Sequence, residues 1–224
     1  MRETIRPRES FLTVERTARI WTLDEEEQAQ ELWYVLHGYR QLARRFLRRF
    51  TAIHDGRRRI VAPEALSRFY LEGGQQRHGP TSVVGATWMT REDRLHEIDD
   101  YVAYLDRLHQ QTVAEVGASV PVTLLGFSQG VATAARWVVQ GAVRPARLLV
   151  WGDTLPPDLD PADAAARLGA LELVRVRGDD DPAVGKERSA AEEEALAAMG
   201  VESRIVRYPG GHEIHEATLR GLAR

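Results

Sequence analysis

A serine between two glycines sits at the junction of a strand-like run and a helix-like run, and few architectures accommodate that junction. Val122-Thr123-Leu124-Leu125 leads into Gly126-Phe127-Ser128-Gln129-Gly130, which leads into Val131-Ala132-Thr133-Ala134-Ala135-Arg136-Trp137. A sharp strand-to-helix turn lifts a side chain clear of neighbouring backbone, and glycines two before and two after the serine let the turn close. Ser128 is thereby a candidate nucleophile, provided a base removes its proton. The bland alternative is a glycine-lined turn with an idle serine.

The rest of the chain supplies short apolar runs alternating with helical periodicity, the pattern of a mostly parallel central sheet with helices on both faces. Runs 32–36, 59–62, 122–125, 148–151, 171–176 and 203–207 read as strands, and residues 10–23 as an opening hairpin. Stretches 41–50, 92–116, 131–140, 160–168, 184–199 and 215–223 read as helices. The length of 224 residues suits one α/β domain over 1–224. A net charge of -3 gives no global reason to bind nucleic acid. The absence of cysteine excludes disulfides, zinc-thiolate sites and a thiol nucleophile, and no obvious ligand set points to a metal. The charged start Met1–Pro7 lacks an apolar core, and no apolar run has the length of a bilayer span. The expectation is a cytoplasmic protein without integral membrane association, a monomer or homodimer.

The base should be a histidine, whose ordinary pKa lies near neutrality. Hydrolases built on a G-x-S-x-G turn place the acid and then the base downstream of the serine, which leaves His212 and His215. His212 follows the turn Tyr208-Pro209-Gly210-Gly211 after the last strand, whereas His215 opens a helix as a surface or capping residue. The acid belongs on a loop at the same sheet edge, and Gly178-Asp179-Asp180-Asp181-Pro182 is such a loop. Asp181 is favoured there, with Asp153 in reserve on the preceding loop. An oxyanion needs backbone N–H donors, one after the nucleophile and one after an early strand, which points to Gln129 and Tyr39. His37, just before that loop, reads as a structural hydrogen-bonding residue.

Together these residues resemble the phospholipase/carboxylesterase family of α/β-hydrolases, which includes acyl-protein thioesterases and small bacterial carboxylesterases. The likeness covers most of the chain and rests on Leu36-His37-Gly38, Val61-Ala62-Pro63-Glu64, Trp88-Met89, Gly126–Gly130, Gly178 to Asp181 with Val184, and Gly211-His212-Glu213-Ile214. It implies an α/β-hydrolase fold, a triad of Ser128, Asp181 and His212, N–H donors at Tyr39 and Gln129, no cofactor, and a small-molecule ester or acyl substrate. The activity implied is carboxylic ester hydrolysis, with thioesterase or lysophospholipase activity as the alternative and a non-catalytic binding protein as the competing class. One departure stands out: Arg40 occupies a position where the family usually has glycine.

Only about twenty residues separate Trp151 from the next strand, room for one helix, so no cap domain and an open cleft are expected. Residues 71–90 are the longest irregular stretch and a candidate substrate wall through Trp88 and Met89, joined by Arg40 from the loop after the early strand; core packing is the alternative for Trp88. Arg44, Arg45, Arg48 and Arg49 share a helix face opposite Leu42, Phe46, Leu47 and Phe50, the pattern of a solvated face. The sharper alternative is an anionic substrate or phospholipid headgroup.

Overall fold

The computed structural model describes residues 7–23, 29–72 and 77–224. Strands β1 (Ile20–Leu23), β2 (Glu31–Leu36), β3 (Arg58–Pro63), β4 (Ser67–Tyr70), β5 (Val84–Thr87), β6 (Val122–Phe127), β7 (Arg147–Trp151), β8 (Glu172–Gly178) and β9 (Arg204–Tyr208) alternate with helices. The helices are α1 (Ala43–Leu47, continued by a 3-10 turn at Arg48–Ile53), α2 (Arg94–Val116), α3 (Gln129–Gln140), α4 (Pro161–Leu168), α5 (Lys186–Ala198) and α6 (Glu216–Leu222). Seven strands form one sheet in the order β1-β3-β2-β6-β7-β8-β9, parallel except for β1.

The central strands are apolar without a break because both faces of the sheet are covered. In β2, Leu32, Tyr34 and Leu36 enter the core beneath α2 and α3, while Trp33 and Val35 enter the core beneath α1 and α6. The same alternation splits Leu124 from Leu125 and Leu148 from Leu149. Helix starts are set locally: Asp160 accepts N–H bonds from Ala162 and Asp163, both at 3.0 Å, with Pro161 at the first helical position.

The chain runs from β2 outward to β3 and later returns to β6 on the other side of β2. Such a reversal of strand order opens a crevice at the carboxyl ends of the two diverging strands. Here those ends carry His37-Gly38-Tyr39 and Ser128, so topology alone brings the two loops together.

Two expectations need correction. Residues 7–19 form no strand, and β1 pairs only with β3, so there is no opening hairpin. Phe11, Leu12 and Val14 mimic a strand pattern but are exposed. The stretch 71–90 is less irregular than expected, since β4 and β5 pair antiparallel as a two-stranded hairpin with Tyr70 opposite Val84. Gly73 and Gly74, expected in that wall, lie outside the described residues. Between β7 and β8 the only helix is α4. Among the described residues no helix is long and apolar enough to cross a membrane.

Candidate active site

Ser128 has φ 53° and ψ −123°, a conformation that L-residues rarely adopt and that costs about 1–3 kcal/mol. Its neighbours explain how the strain is imposed. A Cβ on Gly126 would lie 2.4 Å from Gly130 O, and one on Gly130 would lie 2.3 Å from Leu36 O. Gly130, in the first turn of α3, therefore packs directly onto the end of β2, which only glycine permits. Val131 N–H bonds Ser128 O at 2.8 Å, and Ser128 N–H bonds Trp151 O at 2.9 Å, fixing the turn from both sides.

Asp181 and His212 meet beside the turn. His212 Nδ1 lies 2.9 Å from Asp181 Oδ2 and 3.1 Å from Oδ1. An ionised carboxylate only accepts, so Nδ1 carries the hydrogen and Nε2 is left with its lone pair free for a proton. Asp181 is buried, whereas Asp179 and Asp180 are exposed and Asp179 pairs with Arg207 at 2.9 Å. Asp181 Oδ1 also accepts Ala183 N–H at 2.8 Å, which sets the carboxylate's orientation. The reserve acid Asp153 is bound by Arg188 at 2.6 Å instead. His215 immediately precedes α6, with Nδ1 2.9 Å from Thr218 Oγ1 and its ring stacked on Tyr208, and it makes no hydrogen bond to Asp181.

Residues that sequence reasoning passed over hold this pair in place. A Cβ on Gly178 would lie 2.4 Å from Gly210 O, so the acid loop and the histidine loop touch backbone to backbone. A Cβ on Gly152 would lie 3.2 Å from His212 Nδ1. Trp151 Nε1–H donates to Glu213 O at 2.8 Å, and the Tyr208 hydroxyl reaches Gly211 O at 2.8 Å. Phe127, next to the serine, lies with its ring 4.8 Å from the His212 imidazole. Ser128 and His212 thus flank one aromatic ring at one sheet edge. No hydrogen bond joins them among the described residues; such contacts often tighten only around bound substrate.

The backbone N–H groups of Tyr39 and Gln129 donate to no protein acceptor among the described residues. Gln129 opens α3, whose dipole places partial positive charge at this end. Gly38 brings the Tyr39 loop in: its Cβ would stand 3.1 Å from Ser128 Cβ. The loop is clamped by β5, with Arg40 N–H to Ala86 O at 2.9 Å and Ala86 N–H to Gln41 O at 3.1 Å. Arg40 has φ 67°, the left-handed conformation that favours glycine by about 1 kcal/mol or more. A Cβ on Gly85 would lie 2.5 Å from Arg40 O, which explains a glycine inside β5.

The Gln129 side chain ties the same region to the turn. Its Oε1 accepts Trp88 N–H at 3.1 Å and its Nε2 donates to Met89 O at 2.9 Å. Trp88 is only 3 % exposed and donates Nε1–H to His37 O at 2.8 Å, so it is a core residue that braces the loop and not a substrate wall. Met89 is half-buried, its sulfur 3.4 Å from the Arg136 guanidinium. Of the expected wall residues, Arg40 alone is exposed.

His37 is fully buried and bridges the loop to the next strand connection. Nδ1–H donates to Gly38 O at 2.8 Å while Nε2 accepts Ala65 N–H at 3.1 Å, an arrangement that only the neutral ring can make. Burial accordingly pushes its pKa down to about 4. Because the folded pKa lies below the unfolded value, the unfolded chain binds the proton first as pH falls. Stability is then complete above about pH 6.5 and declines towards pH 4, by about 3 kcal/mol from this residue. Urea unfolding across that window should show the loss, reduced in His37→Gln, and the His37 ring proton shifts should stay constant from pH 8 to pH 5.

Comparison with protein-family models and with curated protein sequences finds no match. Solved structures do match. An acyl-protein thioesterase 2 of Zea mays superposes with TM-score 0.67 at 18% identity, over 92% of this chain and 96% of that one. The esterase PE8 gives TM-score 0.67 at 22% identity over the same shares, 92% and 96%. This is the α/β-hydrolase fold. A carboxylesterase of Mesorhizobium loti extends the likeness, with TM-score 0.66 and 19% identity over 92% of this chain and 93% of that one. The Ser128 turn after β6, the Asp181 loop after β8 and the His212 loop after β9 share the carboxyl edge of this sheet.

Proposed function

We propose that this chain is a serine esterase that cleaves carboxylic esters, thioesters included, through an acyl-Ser128 intermediate in an open cleft without a cap. The observation that carries the reading is the buried Asp181–His212 pair beside a strained serine turn flanked by two unpaired N–H donors. In the first half-reaction Ser128 Oγ attacks the carbonyl carbon as its proton passes to His212 Nε2. Asp181 stabilises the imidazolium, and the new oxyanion accepts hydrogen bonds from Tyr39 and Gln129. Collapse expels the alcohol or thiol, which takes the proton from His212. Water then repeats the sequence on the acyl-enzyme, with His212 as base, and releases the acid.

The fold-mates named as acyl-protein thioesterase and carboxylesterase favour acyl substrates but do not choose among them. Lysophospholipids and acylated proteins remain the alternative substrates. The test is a panel of p-nitrophenyl esters and acyl thioesters of graded chain length, together with a fluorophosphonate probe. Turnover with labelling confined to Ser128 supports the reading. An unlabelled, inactive protein would leave a binding protein on the same fold.

A further inference from the structure

The loop that carries the Tyr39 N–H also carries an uncompensated positive charge. Arg40 is exposed, and its guanidinium meets no carboxylate among the described residues. Three arginines near the carboxyl edge are paired with carboxylates, Arg68 with Glu64 at 3.2 Å, Arg188 with Asp153 at 2.6 Å and Arg207 with Asp179 at 2.9 Å, whereas Arg40, like Arg45 and Arg91, is not. Arg40 also holds φ 67°, where glycine would relieve the backbone, so nothing local in the fold calls for this side chain.

Its position relative to the serine is bounded by the chain. Gly38, two residues earlier, would place a Cβ 3.1 Å from Ser128 Cβ. Two trans peptide units span at most roughly 7.6 Å, which keeps Arg40 Cα within roughly 12 Å of the serine side chain. The clamp of Arg40 N–H to Ala86 O at 2.9 Å fixes the backbone from which the side chain departs. From that distance an extended arginine, when directed over the serine, can meet a group a few bonds beyond the scissile carbonyl. A guanidinium recognises a carboxylate there with paired, charge-assisted hydrogen bonds.

We infer that Arg40 is a specificity-determining residue that selects anionic acyl substrates, namely esters in which a free carboxylate lies a few bonds from the scissile carbonyl. The inference rests on the esterase reading above and names the substrate class for that same site. Electrostatic attraction to one fixed charge acts on binding more than on the chemical step, so the preference resides mainly in KM. It weakens as salt screens the pair.

The test compares monoethyl glutarate with ethyl pentanoate, which is of similar length and uncharged, by pH-stat titration at neutral pH. The wild-type protein is expected to favour the hemiester at least tenfold in kcat/KM, less so at high salt. Arg40→Gln should abolish the preference, Arg40→Glu should reverse it, and Arg40→Lys should keep part of it. The ratio of the two substrates is read on one preparation, so any loss of folded protein cancels. Equal or better use of ethyl pentanoate by the wild type, or an unchanged ratio in Arg40→Gln, overturns the inference while leaving the esterase reading intact. Failure of the wild type on both esters and on the p-nitrophenyl panel overturns both.

Discussion

Ser128→Ala is expected to lower kcat for ester hydrolysis by at least ten-thousandfold and to abolish fluorophosphonate labelling. Without the hydroxyl, His212 has no nucleophile to activate. The N–H donors of Tyr39 and Gln129 can still polarise a carbonyl for attack by water, which leaves a small residual rate. The fold should survive, because nothing depends on the Ser128 hydroxyl: it makes no hydrogen bond among the described residues. A companion variant separates chemistry from structure. At φ 53° the backbone is strained for alanine as for serine, but not for glycine. Ser128→Gly should be equally inactive yet more stable than Ser128→Ala by about 1 kcal/mol, a rise in Tm of about 2–4 °C. Retained turnover in Ser128→Ala would remove the serine from the mechanism. Equal melting temperatures would deny that the turn is strained.

Where each side chain's surroundings are set by its own neighbours, the sequence was easy to read. β2, β6 and β7 are buried on both faces, so their apolar runs are unbroken, and the glycines of the serine turn follow from contacts within the turn and with β2. The misreadings have a common cause in partners supplied from elsewhere in the chain. Residues 7–19 carry Phe11, Leu12 and Val14, but no strand pairs with them. β5 was hidden by Gly85, a poor strand residue whose small size admits the Arg40 carbonyl. α5 is rich in Ala and Glu, a composition that suits solvent, yet its Glu192 is buried, bound to Arg177 at 2.8 Å and Arg175 at 3.2 Å and accepting Leu155 N–H at 2.8 Å. That carboxylate anchors the loop that holds Asp153, and its partners lie more than a dozen residues away. The roles of Trp151 and Tyr208 in pinning the histidine loop were illegible for the same reason.

The three adjacent aspartates offer the sharpest separation of chemistry from composition. Asp181→Asn is expected to lower kcat/KM by about ten-thousandfold with little change in fold, since the amide fits the carboxylate's volume and its oxygen can still accept Ala183 N–H. The amide nitrogen would then face His212 Nδ1 and donate to it, forcing the hydrogen onto Nε2. The ring would present an N–H where the serine proton needs a lone pair. Asp179→Asn and Asp180→Asn should change activity less than a few-fold, because both residues are exposed and Asp179 engages only Arg207 in a solvent-screened pair. Asp153→Asn breaks the pairing with Arg188 and should affect stability more than turnover. Steady-state kinetics on one p-nitrophenyl ester with all four variants decides the matter. A loss under tenfold at Asp181, or a larger loss at Asp153, would move the acid to the loop after β7.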